Sequence, residues 1–410
     1  MNQAAENIYF NPWDPAFRAN PYPHYKPLLA GPPRILDLFG PTAMVTRFAD
    51  VTAVLRDHTH FSSVRPRDPS EPPNEGPFAG ARTMLFSDPP MHTRLRRLVS
   101  RDFTPRRIRE MEPRIREIAK NLIDAASRKG ESDQGEIEVM SGIANALPVM
   151  VIAEMLGVPP DHYEQFKHWS DTVVSGDNTL PGTPLPDEFH AATKALRDYF
   201  AEEIERRRKQ PGTDLVSALV AAHDDTEANT EVMTADELLA FVLLLLLAGN
   251  ETTTNLIGNG MLALGRNPAQ MDLLRQHPEL MPRAIEEILR YDGPVQSTIR
   301  FTTEDVNLGG TALPVNLGCF IIVAAANRDP AQFVDPDRFD ISREPRDHVA
   351  LGEGLHFCIG APLARMEGAI AIGAMLERFP RLRLKNPNAE VTYKGSYFLR
   401  GLNSLSMSID

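Results

Sequence analysis

The stretch Ala350-Leu-Gly-Glu-Gly-Leu-His-Phe-Cys-Ile-Gly-Ala-Pro-Leu-Ala-Arg365 decides how the rest of the chain reads. It sets Cys358 after two closely spaced glycines and just before a helical pattern. Gly352 and Gly354 permit a positive φ or a close backbone approach that a side chain would oppose. From Ala361 onward the spacing of Leu363, Met366, Ile370 and Ala374 predicts a buried helix face. A thiolate placed at a helix N-terminus meets unsatisfied N–H groups and the positive end of the helix dipole. Such a site suits an anionic sulfur ligand. The plainer alternative is a glycine-rich turn around a buried, inert cysteine.

Working outward, the 410 residues are enough to bury a large core, and length alone allows one large domain or two or three ordinary ones. Hydrophobic residues make up 42% and charged residues 24%, a globular balance, and 35 prolines predict many punctuated connections. The net charge of −12 disfavours a nucleic-acid partner. Cys319 and Cys358 are the two cysteines, too few for a disulfide scaffold and suited to a reducing compartment, so a cytoplasmic location is expected. Cys319 falls in the apolar run 317–323 and reads as a buried strand residue. The N-terminus has no basic start followed by an apolar stretch. The longest apolar run, 238–249, is shorter than a bilayer requires, so it reads as a core helix and no membrane partner is expected.

That run lies in the longest predicted helix. Thr234-Ala-Asp-Glu237 is a capping box at its start, and Asn267-Pro268 reads as its stop. A span near 30 residues would be roughly 45 Å long. In its middle stands Ala248-Gly249-Asn250-Glu251-Thr252-Thr253. A glycine, an acid and hydroxyls inside an apolar helix are locally unfavourable, and such local costs mark functional sites.

Four further features stand in chain order. A helix is predicted to begin at Ser87-Asp88-Pro89-Pro90, with His92 and Arg96 on one face. Arg94, Arg97, Arg101, Arg106, Arg107 and Arg109 form a basic cluster that is either a solvated face or a docking surface. Glu287 and Arg290 are three apart on a helix predicted over 280–292. Val295 to Thr303 turns to a strand pattern that includes Arg300, and Gly309-Gly310 predicts a hairpin-like turn from 306–308 to a strand beginning at Cys319. Loops are predicted over about 60–86 and 175–186, a charged helix over 187–209, and C-terminal strands near 381–384, 390–393 and 404–409.

Taken together, the ordered set His92/Arg96, Glu251/Thr252, Glu287/Arg290, Arg300 and Cys358 resembles the cytochrome P450 superfamily, over nearly the whole chain. The resemblance implies a single domain over 1–410, with a mainly α fold and a small β-rich region. It implies haem b, with Cys358 as the iron ligand and Gly360 in the same loop. His92, Arg96, Arg300 and His356 would meet the haem carboxylates, and Ala248 and Gly249 would leave room for dioxygen. Glu251 and Thr252 match the acid–alcohol pair that delivers protons. Glu287 and Arg290 match a structural pair that locks to a third residue, Arg338 or alternatively Arg343. Leu85, Phe86, Leu243, Leu244, Leu247, Val295, Gln296 and Phe398 would face a lipophilic small molecule, a fatty acid, terpenoid, steroid or macrolide-like compound. Electrons would come from an external ferredoxin and ferredoxin reductase, and the protein would act as a monomer. A peroxide-using haem-thiolate enzyme and a non-enzymatic haem-binding protein are the alternatives. One position departs from the family pattern: Leu351 stands where a phenylalanine is usual beside the ligand cysteine. That departure bears on sulfur shielding and redox potential.

Overall fold

The computed structural model of the protein describes residues 8–38, 40–66, 78, 83–100, 103–132, 135–176, 184–224, 233–344, 347–388, 390–396 and 398–410. Arg101 and parts of the loops expected over 60–86 and 175–186 lie outside the described residues. The helices in chain order are α1 (Pro15–Ala19), α2 (Tyr22–Leu29), α3 (Phe48–Arg56), α4 (Met91–Val99), α5 (Pro105–Ser132), α6 (Ala146–Met155) and α7 (Tyr163–Gly176). They continue with α8 (Asp187–Lys209), α9 (Leu215–Asp224), α10 (Ala235–Arg266), α11 (Pro268–Gln276), α12 (Met281–Asp292), α13 (Val323–Ala326) and α14 (Ala361–Arg378). The strands are β1 (Arg34–Asp37), β2 (Pro41–Val45), β3 (Phe61–Ser62), β4 (Glu136–Glu138), β5 (Thr298–Thr302), β6 (Val306–Leu308), β7 (Thr311–Leu313), β8 (Gly318–Ile321) and β9 (Ser406–Ser408). Helices dominate and the strands are few and short, as the sequence leads one to expect.

The chain divides into two compact units. One comprises Met1–Pro66, Gly258–Cys358 and Arg383–Leu405; the other comprises Arg67–Ile257, Ile359–Leu382 and Ser406–Asp410.

The first unit is built on a five-stranded sheet of order β1-β2-β8-β5-β3, in which β2 and β8 run parallel and the other neighbours antiparallel. Side chains alternate across its faces, as the strand pleat requires. Ala43, Val45, Cys319 and Ile321 pack with Val51, Val54 and Leu55 of α3 on one side. Met44, Phe320 and Ile322 pack with Phe17, Tyr25 and Leu28 from α1 and α2 on the other. Cys319 is fully buried, and burial pushes its thiol up to about 12. The Gly309-Gly310 turn, positive in φ at both residues, closes a hairpin between β6 and β7. The expected partner, the strand through Cys319, pairs with β2 and β5 instead. The residues between the turn and Cys319 are long enough to form a short return strand of their own, β7.

In the second unit α5 packs on α14, and α8 packs on α7 and α9. The capping box at the start of α10 is formed in both directions: Glu237 N–H donates to Thr234 Oγ1 at 3.1 Å, and Thr234 N–H to Glu237 Oε2 at 2.9 Å. Across its most apolar 18-residue window α10 has a mean hydropathy of 1.4, enough by composition and length to cross a membrane. In the structure 78% of that window is buried, so the protein itself consumes the apolar surface.

Several boundaries differ from expectation for identifiable reasons. Asn267-Pro268 ends α10 but does not end helical structure, because proline is accepted at the first position of the next helix, α11. Helix α9 carries apolar residues all round and gives no clear period. Helix α4 starts at Met91, with Pro90 at the cap position and no side-chain cap. The stretches 381–384 and 390–393 form no strand; Tyr393 makes only an isolated bridge to Leu402.

Glu367 on α14 is 2% exposed, and its Oε2 has no hydrogen-bond partner among the described residues. Burial pushes its carboxyl up to about 8. The folded state therefore holds a proton that the unfolded chain releases near its ordinary value, so stability falls as pH rises from that value toward 8. Glu367→Gln removes this dependence. The variant should melt above wild type at pH 8 by an amount equivalent to about a few kcal/mol, with the difference shrinking toward pH 5, as followed by thermal denaturation.

Candidate functional site

The Cys358 loop is shaped by its backbone. Gly352 and Gly354 have φ of 75° and 65°. A Cβ on Gly354 would stand 2.8 Å from the Leu55 carbonyl oxygen and 3.1 Å from Arg56 Cα, so the loop can lie against the end of α3 only with glycine there. Gly352 N–H donates to Val349 O at 3.0 Å, Phe357 N–H to Gly354 O at 3.2 Å, and Cys358 N–H to Leu351 O at 2.8 Å. These bonds hold the Cys358 backbone in one place. Its thiol is free of disulfide and half-buried, unlike that of Cys319. His356 Nε2 lies 2.9 Å from Ser63 Oγ, so one nitrogen of its ring is engaged by the protein.

Behind the loop stands the Glu287–Arg290 pair on α12, both side chains at 0% exposure. Arg290 Nε donates to Glu287 Oε2 at 2.7 Å and Nη2 to Oε1 at 2.8 Å. Nη1 donates to the carbonyls of Asn327 and Pro336, both at 2.9 Å, and Nη2 to that of Arg338 at 3.1 Å. All five guanidinium hydrogens are thereby used. From Asn327 the route continues to the cysteine loop: Val349 N–H donates to Asn327 Oδ1 at 2.8 Å, and Val349 in turn accepts from Gly352.

The third member of the pair is Arg343. Its Nε lies 3.5 Å from Glu287 Oε2, and its side chain is 18% exposed. Arg338, the expected partner, turns its side chain outward to Asp340 and is 64% exposed; only its carbonyl reaches Arg290. The chain turns at Asp335, which has a positive φ and accepts from Arg338 N–H at 3.0 Å, and this turn presents the Arg338 carbonyl to Arg290 while its side chain points outward.

Helix α10 buries most of its middle but leaves one stripe accessible. Ala248 is exposed, and Leu247, Gly249 and Thr252 are half-buried between fully buried neighbours. Leu243 and Leu244 are buried, at 0% and 6%, so of the three expected leucines only Leu247 borders the stripe. Thr252 Oγ1 donates to Ala248 O at 2.8 Å, the i−4 back-bond open to threonine in a helix. Glu251 is 5% exposed and accepts from Asn255 Nδ2 at 3.3 Å; it is not a solvated surface acid. Asn250 donates to Ser170 Oγ at 3.0 Å and Thr254 to Ala144 O at 3.0 Å, tying this stretch to α7 and the entry to α6.

His92 is 1% exposed and Arg96 half-buried, on the same face of α4. Arg94 pairs with Glu237 of α10. Arg106 and Arg107 both reach Glu110, so a good part of the expected basic cluster is offset by acids of its own helix. Arg300, on β5, is 6% exposed and donates to Ile299 O at 2.8 Å. Leu85 and Phe86 are 45% and 50% exposed in a short turn of helix before α4, a large apolar pair at the surface of that unit.

Two of the expected pocket residues face elsewhere. Val295 is half-buried, while Gln296 is 6% exposed, donates to Gly293 O at 2.9 Å and lines a cavity of about 30 Å³ with Phe17, Tyr25 and Phe320. Neighbours on an extended segment point to opposite sides, so Val295 and Gln296 do not share a wall. Phe398 is half-buried and packs against the apolar cluster of the sheet, with its ring centroid 5.8 Å from that of Phe320.

Sequence reasoning missed a buried network around Asp292. Asp292 Oδ1 accepts from Arg400 Nε at 2.7 Å and from the Tyr22 hydroxyl. Burial pushes the Tyr22 phenol well up, and the Asp292 charge adds to it. Arg328 lies 3.7 Å from the Tyr22 ring centroid and 3.9 Å from that of Tyr291. Its members are scattered over the whole sequence, and no local pattern announces them.

The donor chemistry fits a haem. One accessible thiol on a rigid loop suits an iron whose other ligands are supplied by the porphyrin, and among the described residues no group of three or more His, Cys, Asp or Glu is placed to hold a bare metal ion. Buried His92 and Arg300, with Arg96, are cations or donors suited to carboxylates, and the small residues Ala248 and Gly249 leave an apolar helix stripe uncovered.

The fold and these sites define a haem-thiolate protein, and the chain belongs to the cytochrome P450 family, whose model matches residues 34–394. The chain is 40% identical over 396 residues to the vitamin D(3) 25-hydroxylase of Pseudonocardia autotrophica, covering 96% of this chain and 94% of that one. It is 41% identical over 393 residues to the cytochrome P450 monooxygenase PikC of Streptomyces venezuelae, covering 95% and 91%. Among solved structures it resembles the cytochrome P450 PksS of the Bacillus subtilis 168 bacillaene polyketide synthase, with a TM-score of 0.86 and 34% identity over 98% of this chain and 100% of that one.

The ion-pair geometry separates two arginines. Glu287→Ala leaves Arg290 buried without its partner and should cost about 3–5 kcal/mol. Arg338→Ala removes an exposed side chain and should stay within about 0.5 kcal/mol of wild type, both read by denaturant unfolding.

Proposed function

We propose that this chain is a haem-thiolate monooxygenase that inserts one atom of dioxygen into a lipophilic small molecule. The observation that carries the reading is the Cys358 loop: a half-buried thiol fixed by its own N–H to Leu351 O, on a turn that only glycine at 354 allows, directly ahead of α14. Haem b, when bound, supplies the oxygen-activating chemistry, tuned by its sulfur ligand.

Each part of the chain then has a task. Cys358 holds the iron as a thiolate, its charge favoured by the N-terminus of α14. Gly360 keeps the turn into α14 free of side-chain bulk. His92, Arg96 and Arg300 grip the carboxylates by charge-assisted hydrogen bonds, with His356 as a further candidate beside its Ser63 contact. Leu351, whose carbonyl accepts the Cys358 N–H, carries an aliphatic group where the family usually carries a ring.

Thr252 holds a hydroxyl on the accessible stripe of α10. Its hydrogen is given to Ala248 O, which leaves the oxygen lone pairs to accept a hydrogen bond; to pass a proton on, the hydroxyl would rotate off Ala248 O, donate its own hydrogen and take a replacement through a lone pair. Glu251, next in the helix and buried, is the second member of the relay, and Asn255 donates to its carboxyl; adjacent residues on a helix do not face each other, so the proton would pass between them through water. Protons delivered this way through an apolar wall limit the entry of bulk water, which would release peroxide in place of product. That pair favours dioxygen over peroxide as the oxidant.

The exposed apolar pair Leu85 and Phe86, with Leu247 and Val295, supports a lipophilic substrate. A relative named for vitamin D(3) and a structural neighbour named for a polyketide synthase point to bulky, mostly apolar molecules of secosteroid or polyketide type. Electrons come from a separate ferredoxin and ferredoxin reductase. We place the protein in the cytoplasm, as a monomer and one functional domain.

The reduced protein under carbon monoxide should show the red-shifted Soret band of thiolate ligation, and Cys358→Ala should lose it. An unshifted band in the wild type would remove Cys358 from the iron. Thr252→Ala should retain that spectrum while hydrogen peroxide released per electron pair rises about tenfold or more relative to product, a measure of a lost proton-delivery step.

A further inference from the structure

The segment that follows α12 meets the C-terminal chain reversal in the same unit as Cys358. Gln296 N–H donates to Phe398 O at 2.8 Å and Arg400 N–H to Pro294 O at 2.7 Å, which closes an antiparallel bridge between Val295 and Leu399. A single bridge is marginal by itself. Two side chains hold it. Arg400 donates to Asp292 Oδ1 at 2.7 Å and to the carbonyls of Arg18 and Ala19, with its guanidinium 3.6 Å from the Tyr393 ring centroid.

The second is Asn259 of α10, at 0% exposure. Its Nδ2 donates to Asp292 O and to Arg400 O, each at 3.0 Å. An amide nitrogen carries two hydrogens, so both are used. The flipped amide would set an oxygen against two carbonyl oxygens, so one orientation alone serves both carbonyls, even though it leaves Oδ1 buried without a partner among the described residues. The two carbonyls flank the bridge: Asp292 precedes its first strand and Arg400 follows Leu399. Neither helix formation nor core packing asks for asparagine at this place, since a leucine favours both. What asparagine adds is a staple from the helix to both strands of the bridge.

We propose that Asn259 is a positioning residue for substrate selectivity, fixing through the Asp292 and Arg400 carbonyls where Val295 stands in the wall of the substrate pocket. The proposal rests on the reading of Val295 as substrate-facing given above. Asn259 itself touches no substrate; it acts through the backbone of the bridge.

The test uses the haem-loaded protein and two probes, imidazole and 4-phenylimidazole. Both bind iron through nitrogen, but only the second carries a ring that reaches the pocket wall. The ratio of their Kd values reads the wall with iron access divided out. In Asn259→Leu and Asn259→Ser this ratio should change by about fivefold or more, with imidazole alone within about twofold of wild type and the carbon monoxide spectrum unmoved. Amide hydrogen exchange at Gln296 and Arg400 should quicken by about tenfold or more in the same variants. A ratio within about twofold of wild type in a haem-loaded variant, or unchanged exchange, overturns the proposal. Loss of haem from both variants assigns Asn259 to stability and overturns it too. Val295→Ala separates the two ideas. If it moves the ratio while the Asn259 variants do not, the staple falls and the pocket reading stands. If it leaves the ratio unchanged, the placement of Val295 fails and takes the proposal with it.

Discussion

A carboxylate and a guanidinium at 0% exposure survive in a core only if charge and hydrogen bonds are matched; all five Arg290 hydrogens are used, and both Glu287 oxygens accept hydrogen bonds. The matching draws in the chain on all sides. Arg290 takes the carbonyls of Asn327, Pro336 and Arg338; Glu287 takes the Asp340 N–H and the charge of Arg343. This otherwise irregular stretch has few regular hydrogen bonds of its own, so the ion pair serves as its template. Asn327 then passes the constraint to Val349, and Val349 to the first turn of the cysteine loop. The pair touches no reacting atom. Its importance is that a thiol must be held at one position for a metal to find it, and a loop cannot do so unaided.

The same principle recurs at the other end of α12. Asp292, Arg400, Tyr22 and Asn259 gather four distant stretches around one carboxylate and two carbonyls. Buried polar groups there impose a single arrangement, because any slip of register leaves a donor or acceptor unmet in a medium that offers no water. Between these two networks the sheet contributes position more than polarity: its alternating faces are filled by aliphatic and aromatic side chains, and Cys319 is an apolar member of one of them.

The central helix shows how a local cost is used. Its apolar window is mostly buried, yet the sequence interrupts that window with Gly249, Glu251 and Thr252. The interruption falls where the structure leaves a stripe accessible. Thr252 spends its hydrogen on the helix and keeps its lone pairs, and Glu251 is drawn into the interior beside Asn255. A surface helix would place such residues in water, where they would carry no directional proton chemistry.

Much was legible in the residues alone. The apolar run 238–249 and the capping box set the long helix, since a continuous apolar stretch and the Thr234–Glu237 reciprocity are local properties. The glycines around Cys358 announced a loop of unusual backbone, because positive φ is a demand on residue type that sequence displays directly. What the sequence could not decide was direction in three dimensions. The sequence favours Arg338 with Arg343 as the alternative, and the folded chain sends Arg338 outward to Asp340 and Arg343 to Glu287. Val295 and Gln296 look alike as pocket candidates until the extended backbone turns them to opposite sides, and Phe398 reads as a pocket residue until it is found packed against Phe320 and the sheet cluster. Asn259 gave no signal at all, because its partners are backbone carbonyls, which carry no residue identity. Local chemistry and local geometry are thus written in the order of amino acids. Which buried donor meets which acceptor is settled only when distant segments pack, since the cost of an unmet group exists only once water has been excluded.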